Sequence, residues 1–261
     1  MEAPRPPRLQ DLWSVINTGY ACNNRCLFCA QGTLRSRVTA APHVPEELGH
    51  GPLVAFLGGE PTLLNDLPAR VAQARAQGAR RVVLQTNARR LAYRSYAGSL
   101  EQAGVDALDV SLQGPRAHIH DHHTRCPGSF AQTVAGVRNA LALGMEVGLT
   151  TVITRSNYRH LEELTRRAAS LGIKRLHMTP ARPVGEASRL IARVVPRLSP
   201  LIPHLSAAVQ QATSRGMDLR TSALPLCITL PAGCGLSRPG TRRGQGARGS
   251  RYGQHCVGCP R

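Results

Sequence analysis

The chain has 261 residues and a mass of 28.1 kDa, enough for one substantial core with a small appendage. No apolar run of about eighteen residues occurs, and the segment Met1–Arg8 lacks an apolar centre, which argues against a membrane span and against a secretory signal. The formal charge of +18 invites a nucleic-acid partner, but Lys174 is the only lysine and the arginines are scattered apart from a C-terminal cluster, a pattern closer to coding bias than to a binding face.

Short apolar runs alternate with amphipathic stretches from Leu12 to Pro180. The alternation predicts strands at Leu12–Asn17, Leu53–Leu57, Arg81–Thr86, Ala107–Leu112, Val147–Ile153 and Arg175–Met178. Helical patterns fall between them at Asn65–Gln77, Ala92–Ala103, Phe130–Leu143 and Leu161–Leu171, and Gly78, Gly104, Gly144 and Gly172 follow as C-terminal caps. Strand–helix alternation of this kind implies parallel βαβ units, here six of them in an α/β, open, partial (β/α)6 TIM-like barrel. After Pro180 a proline-spaced stretch, Val194–Pro203, leads to a helix near Leu205–Gly216. Residues 238–251 are too rich in glycine and arginine to pack, so they read as a loop. The division that follows is a disordered N-terminus at 1–10, a barrel at 11–195 and an irregular, cysteine-containing C-terminal extension at 196–261.

Eight cysteines without an export signal point to metal or redox chemistry in a reducing cytoplasm. Cys22, Cys26 and Cys29 form a C-x3-C-x2-C loop directly after the first predicted strand. On spacing alone this is either three ligands of a four-iron cube or a structural zinc knot, and zinc's preference for four closed ligands favours the cube. Three thiolates on a cube leave one iron for a small molecule. The second predicted strand ends in Gly58-Gly59-Glu60-Pro61, a tight turn whose glycines let backbone approach a bound group. Both motifs lie at the C-terminal ends of parallel strands, the rim where sites form in α/β barrels.

The two motifs in this order closely resemble the radical S-adenosylmethionine (radical SAM) superfamily, over roughly residues 12–180. The resemblance implies that Cys22, Cys26 and Cys29 hold a 4Fe-4S cluster whose open iron binds S-adenosylmethionine. It implies an enzyme that cleaves this cofactor to methionine and a 5′-deoxyadenosyl radical, which takes hydrogen from a substrate. By the same carry-over Gly58, Gly59 and Glu60 contact the methionine amino group, and Phe28 flanks the adenine. Thr86 and Ser111, at the ends of the third and fourth strands, face ribose or methionine, although a strand-end cap is the plain alternative. The stretch from Gly114 to Phe130 resembles the fourth-strand loop of the peptide-modifying subgroup, with Arg125 pairing the cofactor carboxylate. Its four histidines, His118, His120, His122 and His123, match no clean metal-ligand spacing and read as loop packing. Cys126 reads as a small packed side chain.

Cys227, Cys234, Cys256 and Cys259 form two late pairs that suit a second iron–sulfur cluster or zinc, in the manner of SPASM or twitch extensions, although they are too few for the full SPASM pattern. No side chain is assigned to catalysis itself. The implied partners are S-adenosylmethionine, a peptide or natural-product substrate, and an electron donor such as flavodoxin or ferredoxin. RNA modification, and a non-catalytic iron–sulfur or zinc protein, stand as alternatives.

Overall fold

A computed structural model describes residues 13–37, 53–225 and 235–236. One parallel sheet organises them. Its strands are β1 (Trp13–Asn17), β2 (Leu53–Leu57), β3 (Arg81–Thr86), β4 (Ala107–Ser111), β5 (Glu146–Ile153), β6 (Arg175–Pro180), β7 (Asp218–Thr221) and the two-residue β8 (Gly235–Leu236). They lie side by side in sequence order, and every neighbouring pair is parallel. Among the described residues β8 does not pair with β1, so the sheet is an unclosed barrel.

The crossovers are helical: α1 (Leu67–Ala76), α2 (Arg94–Ala103), α3 (Ala117–Thr124), α4 (Ser129–Ala142), α5 (Leu161–Ser170), the single turn α6 (Ile191–Val194) and α7 (Leu198–Thr213). Strand residues of one parity, such as Val54, Phe56, Val82, Leu84, Leu108, Val110, Leu149 and Leu176, are buried in the main core with Leu67, Leu100, Val137 and Leu164 of the helices. The other parity, including Gln85, Asp109, Thr150 and His177, faces the barrel interior and lines cavities. The capping glycines 78, 104, 144 and 172 all have φ between +82° and +95° or, for Gly104, +106°, as an αL cap requires.

Three elements differ from the pattern read in the sequence. The Gly114–Phe130 stretch is not a loop: it contains α3, a helix of low-propensity histidines packed by Ile119, His120 and His123. The sheet continues beyond six strands, because Leu219 and Thr221 are buried on β7, a four-residue strand too short for its alternation to register. Helix α7 starts at Leu198, seven residues before the predicted Leu205, and carries Pro203 inside it. Pro200 sits in the first turn, where no N–H is needed, and burial of Leu201, Leu205, Ala208 and Ala212 outweighs the bond lost at Pro203.

The N-terminal residues 1–10, the glycine–arginine stretch 238–251 and Cys227, Cys234, Cys256 and Cys259 lie outside the described residues.

Candidate active site at the barrel mouth

The loops and turns that follow β1 to β4 at their C-terminal ends contribute residues to one cavity of about 690 Å³. Cys22, Cys26 and Cys29 line it from the loop after β1, and Gly58, Gly59 and Glu60 from the turn after β2. Thr86 and Asn87 enter from β3, Ser111 from β4, and Phe28 from the cysteine loop itself. Of the sequence-predicted cofactor residues, only Arg125 is not brought there; it lines a separate cleft of about 320 Å³.

The glycine turn has a reason the sequence did not display. Gly59 N donates to Gly19 O at 2.7 Å and Glu60 N to Ala21 O at 2.7 Å, so the turn is stitched to the segment that launches the cysteine loop. A Cβ on Gly59 would lie 2.0 Å from Ala21 O, and one on Gly58 2.4 Å from Asn17 Oδ1. Gly58 also has φ +116°. The close approach these glycines permit is therefore that of the thiol-bearing loop.

Glu60 is 3% exposed and accepts four hydrogen bonds. Thr62 N (3.1 Å), Thr62 Oγ1 (2.7 Å) and Thr86 Oγ1 (2.5 Å) donate to Oε1, and Asn87 N donates to Oε2 at 2.7 Å. Burial raises its pKa above the ordinary 4.5, although all four donors favour the carboxylate. Thr86 Oγ1 also accepts from Ala88 N at 2.9 Å, so both Glu60 and Thr86 are engaged in knotting the β2 and β3 ends together.

The loop is held from three further directions. Asn87 Nδ2 donates to Asn23 Oδ1 at 2.6 Å and lies 3.9 Å from Cys22 Sγ. Arg89 donates to Asn23 O, to Asn24 Oδ1 at 2.9 Å and to Gln132 Oε1 at 2.7 Å. Arg25 N and Leu27 N donate to Thr124 O (2.8 Å) and His123 O (2.9 Å) at the end of α3, and Glu186 N donates to Cys29 O at 3.0 Å. Asn87 stood beside Thr86 in the sequence and Arg89 two residues on; polar residues just past a strand end were the available signal.

The histidines of α3 support this loop. His123 Nδ1 lies 2.6 Å from Ile119 O, which can only accept, so Nδ1 carries the proton. Its Nε2 then accepts from the Thr154 (2.6 Å) and Ser156 (2.9 Å) hydroxyls, and its ring lies 6.4 Å from that of Phe28. His120 Nδ1 accepts from Gln113 N at 3.1 Å. Burial pushes both rings down to about 4, keeping them neutral. Asp121 accepts from Gly128 N, Ser129 Oγ and Phe130 N, each at 2.8 Å, and so caps α4. Burial alone would raise Asp121, but those bonds bring it below the ordinary carboxylate value.

Beneath the mouth, Gln85, Asp109, Thr150, His177 and Ser222 form a polar floor shared with a second cavity of about 700 Å³ inside the barrel. Thr150 Oγ1 donates to Asp109 Oδ1 at 2.6 Å, and His177 Nε2 lies 2.9 Å from Ser222 Oγ. Burial lowers the His177 pKa, partly offset by Asp109. Gln85, Asp109, Thr150 and His177 carry no signal of their own in the sequence, because strand residues facing a barrel interior look like ordinary alternation.

Among the described residues no three His, Cys, Asp or Glu side chains converge tightly enough to chelate one metal ion. The fit to an iron–sulfur cube rests on the donor chemistry: three half-buried thiols around one open cavity, with room beyond them for a further ligand.

Residues 16–168 match the sequence profile of the Radical SAM superfamily. An AdoMet-dependent heme synthase of Oleidesulfovibrio alaskensis is 30% identical over 197 residues, covering 70% of this chain and 48% of the relative. A probable GTP 3′,8-cyclase of Metallosphaera sedula is 30% identical over 187 residues, covering 68% and 57%. The chain thus spans about half the length of the curated relatives it matches. In fold it resembles Streptococcus suis SuiB bound to S-adenosylmethionine, with a TM-score of 0.64 at 18% identity over 81% of this chain and 50% of that one. The hydrogenase maturase HydG of Carboxydothermus hydrogenoformans gives 0.65 at 11% identity, over 86% and 57%.

Proposed function

This chain belongs to the radical SAM superfamily, whose members use a 4Fe-4S cluster and S-adenosylmethionine, and from that premise we propose that it takes hydrogen from a natural-product intermediate at the mouth of its barrel. It is an enzyme of the radical SAM type. When bound, the cluster and S-adenosylmethionine supply a 5′-deoxyadenosyl radical, with methionine as co-product.

The protein's own part is binding and exclusion. Cys22, Cys26 and Cys29 are the proposed cluster ligands, held by Asn87, Arg89 and the α3 carbonyls. Gly58, Gly59 and Ser111 are proposed to line the cofactor, and Phe28 to cover its adenine. Glu60 and Thr86 act as positioning residues, since their side chains are spent on each other and on Thr62, Asn87 and Ala88. Asp109 and His177 are proposed to face the substrate from the floor. The observation that carries the reading is the meeting of three thiols and the Gly-Gly-Glu turn on one cavity through direct backbone bonds.

The substrate class leans on the sequence relatives, which are named for heme synthesis and for cyclisation of GTP. A peptide is the second reading, favoured by a structural neighbour, SuiB, crystallised with its precursor peptide SuiA. Cys227, Cys234, Cys256 and Cys259 are proposed to hold a second metal centre, iron–sulfur or zinc.

The test is anaerobic reconstitution of the full chain, followed by metal counting and assay of 5′-deoxyadenosine with dithionite. Wild type should bind about four irons at the first loop and release 5′-deoxyadenosine, while Cys22→Ala/Cys26→Ala/Cys29→Ala loses both. Zinc alone in that loop, or no cleavage, refutes the reading. The Cys256→Ala/Cys259→Ala variant should lose the iron or zinc of the second centre only.

A further inference from the structure

Adjacent residues of the cysteine loop line two different cavities. Cys26 and Phe28 face the mouth of the barrel, and Leu27 between them lines the 320 Å³ cleft that also takes Arg125. The rest of that cleft is basic and apolar. Arg125, Arg155, Arg193 and His122 surround it, Leu190 and Val194 share its floor with Leu27, and no acidic residue among the described ones lines it.

The arginines are exposed, and the cleft is built into the fold. Arg125 is fixed by its left-handed backbone at the end of α3 (φ +52°), where its N–H caps Asp121 O. Arg155 N donates to Val194 O at 3.0 Å and its guanidinium to Ala192 O, tying the β5 end to α6. The ion pairs among the described residues use other arginines, namely 70, 75, 81, 116, 166, 175, 189 and 220. Three guanidinium groups without an ion pair among the described residues, set around an apolar floor, make a surface complementary to a carboxylate-rich protein patch.

We propose that this cleft docks a small acidic one-electron carrier protein and that electrons enter the cluster through the Leu27 side of the loop. The proposal rests on the assignment of Cys22, Cys26 and Cys29 as cluster ligands. The step balances simply: the reduced carrier loses one electron, the oxidised cluster gains it, and no atom or proton is transferred. Leu27 is bonded directly to Cys26 and lies two positions before Cys29, so a carrier seated here is separated from two proposed ligands by the thickness of the loop. Charge on the rim draws the partner in and sets its orientation, while the leucines and valine exclude water at the centre.

The experiment uses the full reconstituted chain and a flavodoxin as the carrier, with binding measured calorimetrically at several salt concentrations. Wild type should bind, and more weakly as salt rises. Arg155→Glu/Arg193→Glu should weaken binding at least about tenfold at low salt, and Arg155→Gln/Arg193→Gln less. Arg80→Glu/Arg94→Glu, an equal charge change at exposed sites elsewhere, should leave it unchanged. In parallel, flavodoxin-driven cleavage of S-adenosylmethionine should fall in the Glu variant while dithionite-driven cleavage persists. Equal binding by wild type and the Glu variant overturns the docking site, as does equal loss in the Arg80/Arg94 control. Flavodoxin that fails to bind while RNA binds through the same arginines also overturns it. Loss of dithionite-driven cleavage in wild type would instead strike the cluster assignment.

Discussion

At the scale of single residues, Glu60 carries the most consequence. A sequence reader sees a carboxylate beside two glycines in a ligand turn; the fold spends that carboxylate on four internal donors. Glu60→Gln is isosteric, but if its carbonyl keeps the three donors on Oε1, its NH2 must face Asn87 N–H. A buried donor then opposes a donor, costing about 1–3 kcal/mol. Urea unfolding should show that loss, and reconstituted iron content should fall with it because Asn87 also holds Asn23. A variant as stable as wild type would mean the knot is not structural. That the three cysteines, the Gly-Gly-Glu turn, Phe28 and Ser111 lie on one rim was legible from their places at or after strand ends. The role of Asn87 and Arg89 was not, since a hydrogen bond across more than sixty residues leaves no local pattern. Arg125 lines the separate cleft and not the mouth, and its αL backbone (φ +52°) is not written in an Arg-Cys-Pro sequence.

Among elements, the first six strands were legible to within about two residues at each end, because buried parallel strands are continuous apolar runs. Helix α3 was hidden by histidine and aspartate, whose intrinsic preference is weak; tertiary burial of Ile119, His120 and His123 decides it. The contact between the β2 turn and the cysteine loop gives a paired test. Gly59→Ala would drive a methyl to 2.0 Å from Ala21 O, a backbone atom that cannot rotate away. It should cost at least about 2 kcal/mol and strip iron from the first loop. Gly98→Ala on α2 meets nothing within 4 Å and should add about 0.5–1 kcal/mol. Thermal melts of the two variants should therefore move in opposite directions.

For the whole molecule, pH reports on packing. His120 and His123 stay neutral in the fold down to about 4, whereas in the unfolded chain they protonate near 6.5. Between those values the unfolded state binds more protons, so stability falls as pH drops through that window, by up to about 1.4 kcal/mol per pH unit for each ring. Glu60 works in the opposite sense: its raised pKa makes the fold the better proton binder above 4.5, so it gains stability as pH falls toward that value. Two rings against one carboxyl leave a net acid weakness. Urea midpoints should drop between pH 7 and pH 5, and His120→Gln should flatten the slope; a midpoint independent of pH would refute the neutral-ring account.

The clamp of Gly185 and Glu186 on Cys29 and Ala30 also has an order in time. A ribosome delivers the thiols first and this tether long afterwards, from beyond the sixth strand. The nascent chain therefore passes through an interval in which the thiol loop lacks that restraint, and the loop reaches its final geometry only after the segment beyond β6 has emerged.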